Sequence, residues 1–518
     1  LLAGVQRVTA QSKLYPRLFD LQEVVLEESV FKTAMDLNDK LLLEYDVDRL
    51  LTPYFRQAGI TSWESRHPNF QNWGSGNFRL DGHVGGHYLT ALALAYAASQ
   101  DEDMRVRMKE RMDYMVDKMA ECQARFDGNT EGLYGYIGGL PDNQVWTDMY
   151  ARNLSRFNSN RGNVPFYTMH KVYAGLRDAY VYGGNEKALA CFLKLCDWGV
   201  NLISNLTDAE VQNILDTEHG GINEVYADAY RLTGDEKYLV AARRYSHQTM
   251  VTNMQTVNSS FLNNKHANTQ VPKYIGFARV AQEDGGKTSG VTETYLKAAR
   301  NFWTEVTDHR TVAIGGNSVA EHFLPANRSG DYITNPDGPE SCNTNNMLKL
   351  TEDLFGEDPS VKYADFYEYA TINHILSTQN PHTGGYVYFT CLRPQHYRMY
   401  SQVNQGMWCC VGTGMENHGK YGEFVYAHSP ANDTLYVNLF MASRLKNDVF
   451  ALTQETRFPY EERTVLTLGK AGTYTMAVRR PSWCTAGFRI LIDGVEQNVK
   501  SAPGEFVALS RSWKAGEK

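Results

Sequence analysis

The chain has no lysine- and arginine-rich run of the kind that grips a phosphate backbone, and its formal net charge is -8 over 518 residues, so nucleic acid is not an expected partner. It also lacks any uninterrupted apolar stretch of roughly eighteen residues, which argues against a transmembrane helix. Cysteine is scarce. The eight residues Cys122, Cys191, Cys196, Cys342, Cys391, Cys409, Cys410 and Cys484 are too few to staple a scaffold of this size. Adjacent Cys409 and Cys410 do not suit a mutual disulfide, because the small ring would strain the peptide between them. No HExxH pattern accompanies His83 and His87, so these two, four apart, read as packing or supporting residues rather than a metal pair. What remains is a globular chain. With 42% hydrophobic residues it buries a large core, and its length favours two or more domains.

Helix-length apolar periodicity dominates roughly the first four hundred residues. It predicts helices over Val30 to Leu43, Tyr88 to Ala98, Met104 to Ala120, His170 to Tyr182, Lys187 to Leu202, Glu224 to Leu232, Lys237 to Met250, Thr292 to Thr307, Thr344 to Leu354 and Val361 to Leu376. The turns Gly183-Gly184-Asn185-Glu186 and Thr233-Gly234-Asp235-Glu236 are alike, each between two helices and followed by Lys and an apolar run. Such quasi-repeats suggest a toroid of antiparallel helix hairpins with loops forming a cleft at one end. From about Ser429 the texture changes to short β-branched runs, Thr434 to Phe440, Phe450 to Phe458, Arg463 to Leu468, Gly472 to Val478, Phe488 to Ile492 and Glu505 to Leu509, with Asp493-Gly494 as a hairpin turn. The expected organisation is an N-terminal segment (1–18) carrying a possible signal-peptide remnant, a helical domain (19–428) and a β-sandwich (429–518) that would naturally continue beyond Lys518.

Two loci carry the chemistry. Pro339-Glu340-Ser341-Cys342 and Trp408-Cys409-Cys410-Val411-Gly412 together offer three thiols and a carboxylate, enough for a four-ligand zinc site. Glu340 and Cys342 point to one side if their segment is extended, whereas Cys409 and Cys410 need a turn to converge, which Gly406 and Gly412 permit. Thiolates are also nucleophiles. Spacing alone leaves structural zinc, catalytic zinc and no metal all open. Cys122, Cys191 and Cys196 fall in apolar helical patterns and read as plain buried side chains. Aromatics reach 12%, with 32 tyrosines against 22 phenylalanines, which suits a sugar cleft as well as an ordinary aromatic core.

Several long motifs occur in order: Asp81 to Leu89, Glu218 to Glu224, Asn264 to Pro272, Gly315 to Ser318, Glu340 to Leu350 and Met407 to Gly414. They resemble those of the bacterial β-L-arabinofuranosidases with a cysteine nucleophile, glycoside hydrolase families 146 and 127. The likeness runs from about Phe19 onward. It implies an (α/α)6-barrel followed by a β-sandwich, with Zn2+ as cofactor. It also implies Glu340, Cys342, Cys409 and Cys410 as zinc ligands, Cys409 as nucleophile and Glu321 as general acid/base. Ala320 departs from the commoner pattern, in which a charged residue precedes the acid. By the same resemblance His170, His219 and His266 bind sugar hydroxyls, with Glu224, Asn268, Gln270, Tyr386 and Tyr388 as further hydroxyl contacts. His374, His396 and His418 have no assigned role.

The expected substrate is an arabinose-containing plant oligo- or polysaccharide, and the expected location of the protein is secreted, periplasmic or outer-membrane-associated in a bacterium. Two other classes fit parts of the pattern. A toroidal polysaccharide lyase or unsaturated-uronyl hydrolase would use the cysteines only as a structural zinc site, and a non-catalytic glycan-binding protein would use them as a loop staple.

Overall fold

The computed structural model describes residues 9–70, 80–159, 164–218 and 220–518. Residues 1–8 of the expected leader remnant and His219 lie outside the described residues. The chain is helix-rich and ends in β-structure. Six helices, His83–Ala98, Pro165–Val181, Ile222–Thr233, Ala267–Asp284, Ser341–Glu357 and Cys409–Asn417, pack each on the next, and the last returns to the first. The helices Glu102–Ala124, Glu186–Leu202, Glu236–Arg244, Val291–His309 and Val361–Ala370 pack against members of this ring, and most expose one face to solvent.

Local chemistry accounts for most boundaries. Ser29, Asn185 and Asp235 cap their helices, accepting from Lys32 N–H at 3.2 Å, Ala188 N–H at 2.8 Å and Lys237 N–H at 3.2 Å. The two similar turns are therefore true helix starts. The run predicted over Lys237 to Met250 breaks into Glu236–Arg244 and Gln248–Asn253. Gln212 satisfies the break, donating to the Ser246 carbonyl at 3.1 Å and accepting from Gln248 N–H at 2.8 Å. The run predicted over Val361 to Leu376 ends its α-helix at Ala370 and widens into a π turn over Thr371–Ile375. That turn aims buried His374 at the hydroxyls of Thr344 (2.7 Å) and Thr390 (3.0 Å). Two helices run against expectation because each contains a proline, Val47–Gln57 with Pro53 and Ala267–Asp284 with Pro272. Burial of the second in the ring outweighs the missing hydrogen bond.

The β-structure comprises two four-stranded sheets and a small hairpin. One sheet runs Val24–Leu26, Ser443–Lys446, Ala451–Thr456, Thr464–Leu468, all antiparallel, so the chain's N-terminal part supplies an edge strand. The other runs Glu505–Trp513, Gly472–Arg480, Thr434–Val437, Tyr426–His428, with one parallel pair between Thr434–Val437 and Gly472–Arg480. Asp493-Gly494 closes the expected hairpin, pairing Ile492 with Val495.

Helices and sheets meet through an aromatic cluster and one ion-pair group. Phe355 lies 5.0 Å from Phe424, 5.8 Å from Tyr436 and 6.3 Å from Phe506, centroid to centroid. Arg479, with a side chain 0% exposed, pairs with Asp365 at 2.6 Å and with Glu368, both on the Val361–Ala370 helix. Trp483 also donates its indole N–H to Glu368 at 3.0 Å. Removing one partner of a buried pair strands the other charge. Arg479→Ala is expected to lower unfolding stability by about 3–5 kcal/mol, read by urea titration, while Arg479→Met with Glu368→Leu recovers much of it.

Candidate metal and catalytic site

The ligand atoms of Glu340, Cys342, Cys409 and Cys410 lie within 4.8 Å of one another, and all four residues are buried. Cys342 Sγ stands 3.3 Å from Cys410 Sγ, Cys409 Sγ 3.8 Å from Cys410 Sγ, and Glu340 Oε1 3.4 Å from Cys410 Sγ. All eight cysteines are free. Neither locus adopts the local geometry expected from spacing. Glu340 is the N-cap of the Ser341–Glu357 helix and Cys342 its second residue, rather than two members of an extended segment. Cys409 and Cys410 open the Cys409–Asn417 helix rather than a turn. Gly412 serves close packing there, since a Cβ on it would sit 2.4 Å from the His87 ring. Two helix N-termini therefore meet at the sulfurs, where their dipoles favour thiolate over thiol.

The donor set fits a soft divalent cation. Tetrahedral zinc with Zn–S of about 2.3 Å brings two sulfurs to roughly 3.8 Å apart, close to the spacing found here. Glu340 Oε2 is buried with no hydrogen-bond partner, an orphan that a cation would satisfy. Protonation points the same way. Burial, then the charge of Cys409, push the Glu340 carboxyl well above the usual carboxylate range. Hydrogen bonding to Cys342 raises the Cys409 thiol, and burial raises Cys410. Burial also opposes ionisation of Cys342, but hydrogen bonds from Cys409 and Cys410 outweigh it and bring that thiol down to about 6. Bringing all four groups to their ionised forms in this buried volume needs a counter-cation.

Glu321 stands beside this cluster on a loop of unusual backbone. Ser318, Ala320 and Glu321 have φ of +74°, +46° and +69°, a region that costs non-glycine residues about 1–3 kcal/mol each. Backbone bonds hold it: Ala320 N–H to Asp337 O at 2.7 Å, Ala267 N–H to Glu321 O at 2.8 Å, and reciprocal bonds of 3.0 Å between Val319 and His322. Asn343, next to Cys342, donates to Ser318 Oγ at 2.8 Å and ties the loop to the cluster helix. The Glu321 side chain is 34% exposed. The neighbouring His266 imidazole (Nε2 to Oε2, 3.6 Å) lowers its pKa first, burial opposes, and the Tyr388 hydroxyl, which donates to Oε1, lowers it further. The same hydroxyl lies 3.8 Å from Cys409 Sγ. Tyr388 bridges the nucleophile candidate and the acid candidate.

The other residues singled out in the sequence divide. Buried His170 lines a polar cavity beneath the cluster together with Asn268, Tyr167 and Lys171. Its Nε2 lies 3.1 Å from Glu224 and its Nδ1 3.0 Å from Lys171 Nζ. Glu224 is engaged by His170 and by Arg177 at 3.0 Å, so it orients the histidine. Asn268 accepts from Asn346 at 2.9 Å. Gln270 donates to the His266 carbonyl at 3.3 Å, leaving its buried Oε1 without a partner. Tyr386 turns away, donating to Asn38 at 2.5 Å in the core. His87 sits 2.5 Å from Glu416 and lines the cavity, a supporting position, while His418 bonds Tyr421 at 2.8 Å. Sequence reasoning missed Thr413, whose hydroxyl lies 3.0 Å from Cys342 Sγ, and Tyr167, packed against the sulfurs. Thr413 was visible as the residue one helical turn beyond Cys409; Tyr167 had no local signal.

Comparison with known proteins bears on this arrangement. The family model described as the β-L-arabinofuranosidase GH127 catalytic domain matches residues 23–423, and that of the GH127 middle domain matches residues 434–518. A solved GH127 β-L-arabinofuranosidase from Geobacillus stearothermophilus T6 has the same fold at TM-score 0.69 and 16% identity, over 95% of this chain and 80% of that one. A solved GH127 β-arabinofuranosidase gives TM-score 0.73 at 18% identity, over 98% and 80%. A third structure, described as a glycoside hydrolase, gives 0.68 at 15%, over 99% and 79%. A search of curated proteins finds no match. The catalytic-domain model spans well over half of the chain, which is thus a glycoside hydrolase and belongs to the GH127 β-L-arabinofuranosidase family.

Proposed function

We propose that this enzyme releases L-arabinose from the non-reducing ends of β-L-arabinofuranosides in plant glycans, with retention of configuration, using Cys409 as nucleophile and Glu321 as acid/base. The observation that carries this reading is the Tyr388 hydroxyl within reach of both groups. A retaining glycosidase ordinarily sets two carboxyl groups about 5–5.5 Å apart across the scissile bond, and here a sulfur takes the place of one. Cys409 Sγ attacks the anomeric carbon as the glycosidic C–O bond breaks, and Glu321 protonates the departing oxygen. Glu321 then deprotonates a water that attacks the same carbon, and the C–S bond breaks to return the thiolate. Glu340, Cys342, Cys409 and Cys410 would hold Zn2+, which would supply the positive charge needed to keep the sulfurs ionised at neutral pH.

The closed contact circuit of six helices supports reading the helical part as an (α/α)6-barrel with its cleft at the N-terminal ends of the Ser341–Glu357 and Cys409–Asn417 helices. His170 and Asn268, which line the small polar cavity together with Thr413, and His266, 3.6 Å from Glu321, are the hydroxyl contacts best placed near the site. A substrate of this kind lies outside the bacterial cell, which agrees with a secreted, periplasmic or outer-membrane-associated enzyme.

Cys409→Ser is expected to abolish turnover of p-nitrophenyl β-L-arabinofuranoside while binding persists by calorimetry; full activity would sink the nucleophile assignment. Glu321→Gln should lose far more rate on poor leaving groups than on activated aryl glycosides, and equal losses would argue against proton donation. Elemental analysis should find one zinc per chain, lost together with activity on treatment with a chelator and absent from Cys342→Ala.

A further inference from the structure

Seven tryptophans lie among the described residues, and six give their indole N–H to a protein acceptor. Those acceptors are Asp48 O, Tyr136 Oη, Gly132 O, Thr351 Oγ1, Glu368 Oε1 and Tyr474 O, for Trp63, Trp146, Trp198, Trp303, Trp483 and Trp513 respectively. The exception is Trp408, the residue directly before Cys409. Its indole N–H has no acceptor among the described residues, yet it is not among the fully buried polar atoms left without a partner, so it is open to an incoming group.

The ring is nevertheless held. It is half-buried against the core. Gly406, at φ +64°, folds the loop back so that a Cβ there would come within 3.0 Å of the indole Cζ2, and Trp408 N–H closes this turn on the Gly406 carbonyl at 2.9 Å. The neighbouring ring is Tyr388, centroid 5.9 Å away and tilted by 59°. Tyr388 in turn holds Glu321. Trp408, Tyr388 and Glu321 therefore form a continuous row of half-buried side chains beside the fully buried four-acid cluster. An aromatic ring fixed in place, with a free donor beside the site, suits one face of a sugar: C–H groups on the ring, a hydroxyl on the N–H.

We infer that Trp408 is the platform for the leaving-group sugar, binding the glycan unit next to the arabinose being released and so selecting carbohydrate over small aglycones. This rests on the β-L-arabinofuranosidase reading above. In that reading the anomeric carbon of the terminal arabinose meets Cys409 Sγ and the leaving oxygen meets Glu321, so the next unit lies on the Glu321 side, where Tyr388 links that acid to the Trp408 ring. Trp408 is a specificity residue here, with no part in bond breaking.

The test compares methyl β-L-arabinofuranoside, which has no second sugar, with the β-L-arabinofuranosyl disaccharide, using wild-type enzyme, Trp408→Phe and Trp408→Ala. Phe keeps a ring but loses the N–H, so kcat/KM on the disaccharide is expected to fall roughly 3- to 10-fold, the equivalent of one hydrogen bond. Ala should lower it about 30-fold or more, chiefly through KM. On the methyl glycoside both variants should stay within about threefold of wild type, with zinc content and melting temperature unchanged. Equal losses on both substrates would overturn the inference, because Trp408 would then be holding Cys409 in place. Unchanged disaccharide kinetics in Trp408→Ala would overturn it too. A wild-type enzyme that cleaves neither glycoside would remove the arabinofuranosidase reading and this inference with it, an outcome separate from the other two.

Discussion

Everything at this site follows from packing four acidic side chains into one buried volume. Three thiols and a carboxyl within 4.8 Å cannot all ionise in a low-dielectric interior, and leaving them neutral strands Glu340 Oε2. The fold answers this electrostatically. Two helices of different sequence origin start at the cluster, so the positive ends of their dipoles lie beside it before any cation does. The same constraint explains the close packing behind the cluster, where Gly412 lets the His87 ring approach and Glu416 anchors that ring.

A second set of charges carries rigidity from the cluster into the ring. Arg177 pairs with Asp178, Glu224 and Asp228, and Arg279 pairs with Asp228 and Asp353, all buried. These residues come from four consecutive ring helices, so the network joins the very elements that position His170, Asn268 and Cys342. Breaking one member would expose unpaired buried charge, which makes the network intolerant of piecemeal change. The acid loop is held in another way. Its left-handed residues are fixed by backbone bonds to the Ala267 and Asp337 segments and by Asn343. Its backbone shape is thus set before any substrate arrives, as expected of a preorganised acid.

Much of this was legible in the chain itself. Helix starts with a side-chain cap and a clean apolar stripe, such as Glu186–Leu202 and Glu236–Arg244, follow from local chemistry. The strands Gly472–Arg480 and Glu505–Trp513 carry an alternation strong enough to read directly. Illegible elements share one property: their stabilisation is tertiary. Ala267–Asp284 contains Pro272 and is still helical because nearly all its residues are buried in the ring. Cys409–Asn417 contains Gly412 and Gly414, poor helix formers, and forms because its neighbours require contact closer than a side chain would allow. Tyr386 and Tyr388, two apart, looked equivalent, yet one closes on Asn38 in the core and the other on Glu321.

By itself the sequence determined the helix-then-strand order, the set of four metal-ligating residue types and the family, because these depend on residue identity and short-range periodicity. Only the tertiary structure decided that the four ligands are delivered by two helix N-termini, that Tyr388 links the sulfur to the acid, and that Trp408 keeps its N–H free. Those outcomes depend on where side chains distant in the chain come to rest, and that is set by burial and charge pairing among whole elements, which local sequence does not encode.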